Sequence, residues 1–302
     1  GTEKVELWNK VGSNKWESVN GIRLDKLTNF FINGQKQAIG RWPNRSTANQ
    51  GYLSMKWASG STRLSSKSIP DASVWQGADL VVRTNRWLLD WSPIVETRGD
   101  TLTIRPCSYD IDREFGFFIK NHPRTLDRPG EWCFNRISQK IMFYSEKSPK
   151  SMEITVPFIE SLISIQGQKY ITIENLVLKG ALGNALVVER SANITIRNLE
   201  FIHSGENAVL ATKCYKILFE GNTVFDANNL GIEFQSCNGT VVRQNSIKNV
   251  GINSAVGSNG ISFIGIGIEG VSNLLEYNRI DSIGYIGLRF DGGQHGCDGV
   301  AV

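Results

Sequence analysis

The sequence predicts an all-β chain dominated by a parallel β-helix, and three observations carry that prediction. Leu176, Leu199, Asn222 and Asn245 are spaced by 23 residues, and Asn278 follows after 33, one period plus a ten-residue insertion. A period in the twenties with short β-branched runs means stacked coils, none of which buries its apolar face without neighbours. Each period also holds two short alternating runs. Finally, all eight Trp lie between Trp8 and Trp132 and all eight Pro between Pro43 and Pro157, so the periodic half has neither. Proline lacks the ladder donor and is excluded from paired central strands. A β-sandwich places turn signals at similar spacing but keeps no constant period.

The coils can be laid out element by element. The first run is Leu186-Val187-Val188, Val209-Leu210-Ala211, Ile232-Glu233-Phe234, Ile261-Ser262-Phe263 and Leu288-Arg289-Phe290. The second begins at Ile171, Ile194, Ile217, Val241 and Leu274. Alternation turns the outer residues of the early triplets inward and the middle one outward. Gly, Asn and Ser fill the corners, where turns need positive φ or side-chain to backbone hydrogen bonds. Asn222, Asn245 and Asn278 are expected to stack as an internal amide ladder. Cys214 and Cys237, 23 apart, occupy equivalent sites one coil, about 4.8 Å, apart. They are either a disulfide or two buried thiols in a ladder with Ser191.

Three segments are expected: 1–19 as a β-helix coil fragment, 20–157 as a Trp- and Pro-rich β-subdomain inserted beside the helix, and 158–302 as the parallel β-helix. Neither end shows the polar cap a solenoid needs, so the expectation is a portion of a longer protein. Residues 158–302 carry 10 Lys+Arg against 13 Asp+Glu, while the first half holds 23 against 16 and supplies the net charge of +4. At 302 residues and 40% hydrophobic the chain can bury a sizeable core. No apolar run approaches a membrane span, and the scattered basic residues form no nucleic-acid module. The five Cys contain no CxxC, so no metal is expected.

In the first half, Phe30 to Gln37 reads as a hairpin around Asn33-Gly34. Ala78 to Val82, Trp87 to Trp91 and Thr101 to Ile104 read as strands, and the polar stretch Ser59 to Ser68 as a surface loop. The stretch Phe31-Ile32-Asn33-Gly34-Gln35 running to Gly40-Arg41-Trp42-Pro43-Asn44 is similar to an F-x-N-G…A-R-x-P-N signature. Phe118-Ile119-Lys120-Asn121-His122-Pro123, Leu126-Asp127-Arg128-Pro129-Gly130-Glu131-Trp132 and Lys140-Ile141-Met142-Phe143-Tyr144 match an F-x-E-N-H-P…L-D-x-P-G-E-W-Y…L-Y-Y signature. Gly40 and Lys120 depart from it, standing where Ala and Glu are usual. On these motifs, from about Asn20 to Asp291, the chain resembles carbohydrate-active right-handed parallel β-helix proteins, glycoside hydrolase families 141 and 120, of the pectate-lyase-like superfamily. The resemblance implies a β-domain packed beside the helix groove, with Trp132 anchoring it and Glu131 in a structural turn. No unmistakable motif carries those families' catalytic carboxylates onto this chain.

Chemistry on a β-helix sits on outward columns of side chains, one set per coil. The first sheet presents Val187, Leu210, Glu233, Ser262, Arg289 and, beside it, Glu189, Thr212, Gln235, Ile264, Asp291. Both turn polar from Glu233 onward. Glycoside hydrolysis needs one carboxylic acid to protonate the leaving oxygen and one carboxylate as base or nucleophile. Glu233 and Asp291, two coils apart, are the candidate catalytic pair, with Arg289 and Gln235 as substrate-binding neighbours. The adjoining corner adds His203, Asp226, Asp281 and Tyr285, with Glu206 and Asn228 nearby, and the insertion Ile252 to Asn259 is a candidate groove wall. For each, the plain alternative is structural: surface salt links for the column, turn chemistry for the corner. The expected protein is a monomeric hydrolase of a plant or algal polysaccharide or oligosaccharide, extracellular or periplasmic, with no cofactor. The alternatives are a polysaccharide lyase eliminating across a uronate, with Ca²⁺ as its neutralising charge, or a non-catalytic carbohydrate-binding solenoid.

Overall fold

The strands follow the repeat. In this computed structural model, which describes residues 1–69, 71–253 and 255–291, three parallel sheets run along the periodic half. The first stacks Ile163–Gln166, Leu186–Glu189, Val209–Thr212, Ile232–Gln235, Ile264–Glu269 and Ile286–Asp291. The second begins with Lys169–Glu174 and ends with Leu274–Glu276; the third runs from Val177–Lys179 to Arg279–Ile283. Between coils of the strict repeat the register step is 23 residues, as in Leu186↔Val209↔Ile232. Leu186, Val188, Val209, Ala211, Ile232 and Phe234 are buried while Val187 and Leu210 face out. Inside, Phe201 stacks on Phe219 at 6.1 Å, and Phe219 meets Phe234 edge-on at 6.2 Å.

The third sheet is an element the two-run reading does not contain. Its early strands are three residues long with one inward side chain each, Leu178, Phe201 and Val224, too little alternation to register as a run.

The amide ladder is present. Asn222 Nδ2 donates to Ile196 O, Asn245 Nδ2 to Phe219 O and Asn278 Nδ2 to Val242 O, at 3.0, 3.0 and 2.8 Å. Each side-chain oxygen accepts from the backbone N–H one coil back: Asn222 from Leu199, Asn245 from Asn222, Asn278 from Asn245. Buried corner amides are thus satisfied by the neighbouring coil. Cys214 and Cys237 are free thiols. Ser191 Oγ, Cys214 Sγ and Cys237 Sγ each meet the carbonyl two residues upstream, so the three form one ladder. Outside, the second sheet carries Glu174, Arg197, Glu220, Arg243 and Glu276 in a column of alternating sign. Arg197 pairs with Glu174, and Arg243 with Glu220 at 2.7 Å.

The chain divides into two units. One is Gly1–Glu3, Pro157–Gly257 and the chain from Ser262 onward; the other is Lys4–Val156 with Ser258–Ile261. The expected coil fragment at 1–19 therefore shrinks to three residues. Trp8–Gly12 and Lys15–Ser18 instead form an antiparallel sheet with Lys140–Tyr144 and Trp132–Asn135, because Trp8 and Trp16 pack on that unit's core. Its larger sheet has seven strands, with Asp79–Asn85, Leu88–Arg98 and Thr101–Ile104 at its centre. The Asn33-Gly34 hairpin is formed, both residues with positive φ. The Ser59 to Ser68 stretch is no surface loop: Trp57–Ser59 pairs with Arg63–Ser65, and Leu64 is fully buried.

The signature residues of the first half hold this second unit together. Trp132 is buried against Phe30 within its core, with Nε1 donating to Gln37 O, so the unit holds the ring it was expected to use as an outside anchor. Glu131 accepts from the Asp127 and Arg128 N–H groups and closes their turn. Asn121, at φ 58°, donates to Asp79 and accepts from Phe134 N. Fully buried Asp79 takes both arms of Arg136 at 2.8 Å. Burial pushes the neighbouring Lys120 ammonium down to about 8 against the pull of Asp79, and that ammonium lies 4.2 Å over the Trp91 ring. Asn259 Oδ1 accepts from Trp91 N and Ile261 bridges Leu89, so the last two residues of the expected groove-wall insertion, Ser258 and Asn259, belong to this unit. Cys297 and the rest of 292–302 lie outside the described residues. Among the described residues no helix is long and apolar enough to cross a membrane.

Candidate functional site

The outward face of the first sheet is set by register, and the register differs from the expected one in the fourth coil. Glu233 lies beside Gly267, and Gly267 beside Arg289. Glu269, in turn, lies beside Asp291. The columns therefore read Val187, Leu210, Glu233, Gly267, Arg289 and Glu189, Thr212, Gln235, Glu269, Asp291; Ser262 and Ile264 do not belong to them. The strand starts at Ile264, and its inward pair, Ile266 and Ile268, stands five residues later than apolar counting from Ile261 implies. Its outward positions end on Gly267 and Glu269. Alternation written as Ile-Gly-Ile-Gly-Ile-Glu is the signal that could have located it.

Three of the predicted residues meet closely. Arg289 Nη2 donates to Glu233 Oε1 at 2.6 Å, and Arg289 Nε lies 2.6 Å from Asp291 Oδ2. Allowing for the guanidinium's own width, the two carboxylate oxygens lie no farther apart than about 7.5 Å. Gln235 Nε2 approaches Glu233 Oε1 at the long distance of 3.5 Å. Glu233 is 3% exposed although it faces outward, and its Oε2 makes no hydrogen bond among the described residues. Burial raises its carboxyl above the usual range, opposed by Arg289 and reinforced by Asp291. A buried acid with a raised pKa and one oxygen left over is suited to hold a proton and donate it. Asp291 is more exposed and shares the same cation.

The corner residues form separate groups. His203 and Asp226 occupy the same left-handed corner position in successive coils, with φ of 57° and 63°. His203 Nδ1 and Asp226 Oδ2 are 2.7 Å apart, and the Phe225 ring stands edge-on to the imidazole at 6.1 Å. Asp226 opens the corner that leads into the Glu233 strand. Asp281 instead projects from the third sheet, where Lys248 lies 3.7 Å away. The Ser282 hydroxyl, helped by Lys248, holds its carboxyl below the usual range. Tyr285 is exposed. Neither Asp281 nor Tyr285 contacts the Glu233 group through any side-chain hydrogen bond or ion pair found among the described residues. No three His, Cys, Asp or Glu side chains converge as metal ligands among the described residues either.

Residues 161–297 match the right handed beta helix region. This right-handed β-helix covers the coils that carry Glu233, Arg289 and Asp291. The structure is similar to that of a glycoside hydrolase, with a TM-score of 0.61 and 13% identity over 92% of this chain and 68% of the other. It is also similar to a complex of XylC with xylose, with a TM-score of 0.53 and 10% identity. That likeness covers 99% of this chain, which spans about half (49%) of the XylC chain. At such identities the likeness shows a shared fold. No curated protein matches the sequence.

Proposed function

We propose that the protein is a glycoside hydrolase in which Glu233 is the general acid and Asp291 the base or nucleophile. The observation that carries this reading is the buried, raised-pKa carboxyl of Glu233 held through Arg289 beside a second, more exposed carboxylate. In this scheme Glu233 gives its proton to the leaving glycosidic oxygen as the C–O bond breaks. Asp291 either takes a proton from the attacking water or attacks the anomeric carbon itself. Arg289 pairs with Asp291 and holds that carboxylate beside Glu233. Gln235 and the His203–Asp226 pair are substrate-binding groups in this reading, on a plant or algal polysaccharide met outside the cytoplasm.

Local charge favours hydrolysis of a neutral sugar over elimination across a uronate. Among the described outward positions of the last three coils, Glu233, Glu269 and Asp291 stand against Arg289 alone. A uronate carboxylate placed there meets net repulsion.

The test is turnover of neutral and uronate-containing oligosaccharides by the unaltered protein, Glu233→Gln and Asp291→Asn. The proposal expects new reducing ends from neutral substrates, and a loss of about 10²–10⁴-fold in each variant. An ultraviolet-absorbing unsaturated product would mean a lyase, and full activity in both variants would remove these residues from the chemistry.

A further inference from the structure

Glycines in and beside the strands of the first sheet face different obstacles. An ideal Cβ on Gly265 would lie 2.5 Å from the carbonyl oxygen of Gly287, and one on Gly231 would lie 2.4 Å from that of Gly265. These are backbone atoms of the adjoining coil, so glycine there is a packing requirement. Gly267 is different. Its Cβ would lie 1.9 Å from Oε2 and 2.9 Å from Cδ of Glu233, and 3.3 Å from Nη2 of Arg289. Its nearest obstacle is the far end of one flexible side chain. The backbone of Gly267 is also outside the left-handed region, so its φ does not call for glycine.

Register explains the arrangement. Glu233 and Arg289 flank Gly267 from the coils on either side, about 4.8 Å away in each direction. Two side chains separated by a whole strand reach a 2.6 Å contact because nothing projects between them. The Glu233 carboxyl fills the space a side chain at 267 would take.

We propose that Gly267 is a positioning residue: the missing side chain lays the Glu233 carboxyl across the middle coil, against Arg289 and out of water. This rests on the reading of Glu233 as general acid for its consequence in catalysis, but not for its geometry. A methyl group at 267 pushes the carboxyl outward, parts it from Arg289 and returns it to solvent. Burial is the larger influence on the group and Arg289 the smaller, so the carboxyl titrates lower, closer to an ordinary glutamate.

The experiment is Gly267→Ala, followed by side-chain carboxyl NMR with the Glu233 signal assigned by its absence in Glu233→Gln. The expected result is a folded protein whose Glu233 titration moves downward. The high-pH limb of kcat/KM should shift in the same direction, with a loss of about 10²-fold from the misplaced acid. A Glu233 titration unchanged in Gly267→Ala overturns the proposal. If the titration moves while Glu233→Gln keeps full turnover, positioning by Gly267 stands and the catalytic reading fails. Should Gly267→Ala not fold, Gly267→Ala with Glu233→Ala decides: recovery of the folded protein supports the proposal, because the carboxyl was the obstacle, and no recovery overturns it.

Discussion

Replacing Arg289 with methionine keeps an apolar stem of similar reach and removes the guanidinium. Among the described residues Glu233 then retains one polar approach to Oε1, Gln235 at 3.5 Å, and still has no hydrogen bond at Oε2. Breaking a buried ion pair by removing one partner costs about 3–5 kcal/mol. Glu233's side chain is 4% exposed but Arg289's is 30% exposed, so solvent screening reduces the expected loss to about 2–3 kcal/mol at neutral pH. The sign with pH follows from the direction of the Glu233 shift. Its carboxyl is raised in the folded protein, and losing Arg289 raises it further. A raised carboxyl favours folding most below the ordinary glutamate value, and that contribution fades as pH rises through the folded pKa. The penalty of the variant should therefore be largest above the folded pKa of Glu233, where the carboxylate is ionised, and shrink as pH falls through that pKa and Glu233 takes up a proton. Urea unfolding of both proteins at several pH values measures it. A penalty below about 0.5 kcal/mol, or one equal at both ends of the range, would refute the buried-pair description.

Other expectations test the frame around the site. Asn245→Ala removes the acceptor of Asn222 N and the donor to Phe219 O, both at buried corners; a loss of about 3–4 kcal/mol is expected from denaturant melts. Gly265→Ala should destabilise sharply where Gly267→Ala does not, because its obstacle is a backbone carbonyl; thermal melts of the two variants side by side decide. Asp79→Ala strips the buried partner from Arg136 and the opposing charge from Lys120, and should cost about 3–5 kcal/mol, read as early loss of the tryptophan fluorescence change in the Trp-rich unit.

The coil period was legible because one corner position per turn, leucine in the first two coils and asparagine in the next three, must meet the same neighbour each time. Its hydrogen bonds leave no freedom to drift. The pairing of Glu233 with Arg289 and Asp291 was legible as a column, since both ends kept the period. The middle of that column was not. Gly267 and Glu269 sit in a strand whose outward glycines give no polar beat against Ile264, Ile266 and Ile268, while Ile261 and Phe263 upstream imitate the expected pattern. The third sheet escaped notice because three-residue strands bury one side chain each. Trp132 and the serine-rich hairpin were misplaced for a shared reason: an aromatic motif and a polar stretch report composition, whereas Leu64 also pairs with Leu102 and Trp132 with Ile39, both distant in sequence.

The most direct measurement compares Glu233→Gln with the unaltered protein on matched neutral substrates, disaccharides against nitrophenyl glycosides. A nitrophenolate departs without a proton, whereas a sugar oxygen needs one. A general acid at Glu233 predicts a large loss on disaccharides, a much smaller one on nitrophenyl glycosides, and disappearance of the high-pH limb. Equal losses on both, with that limb intact, would contradict it.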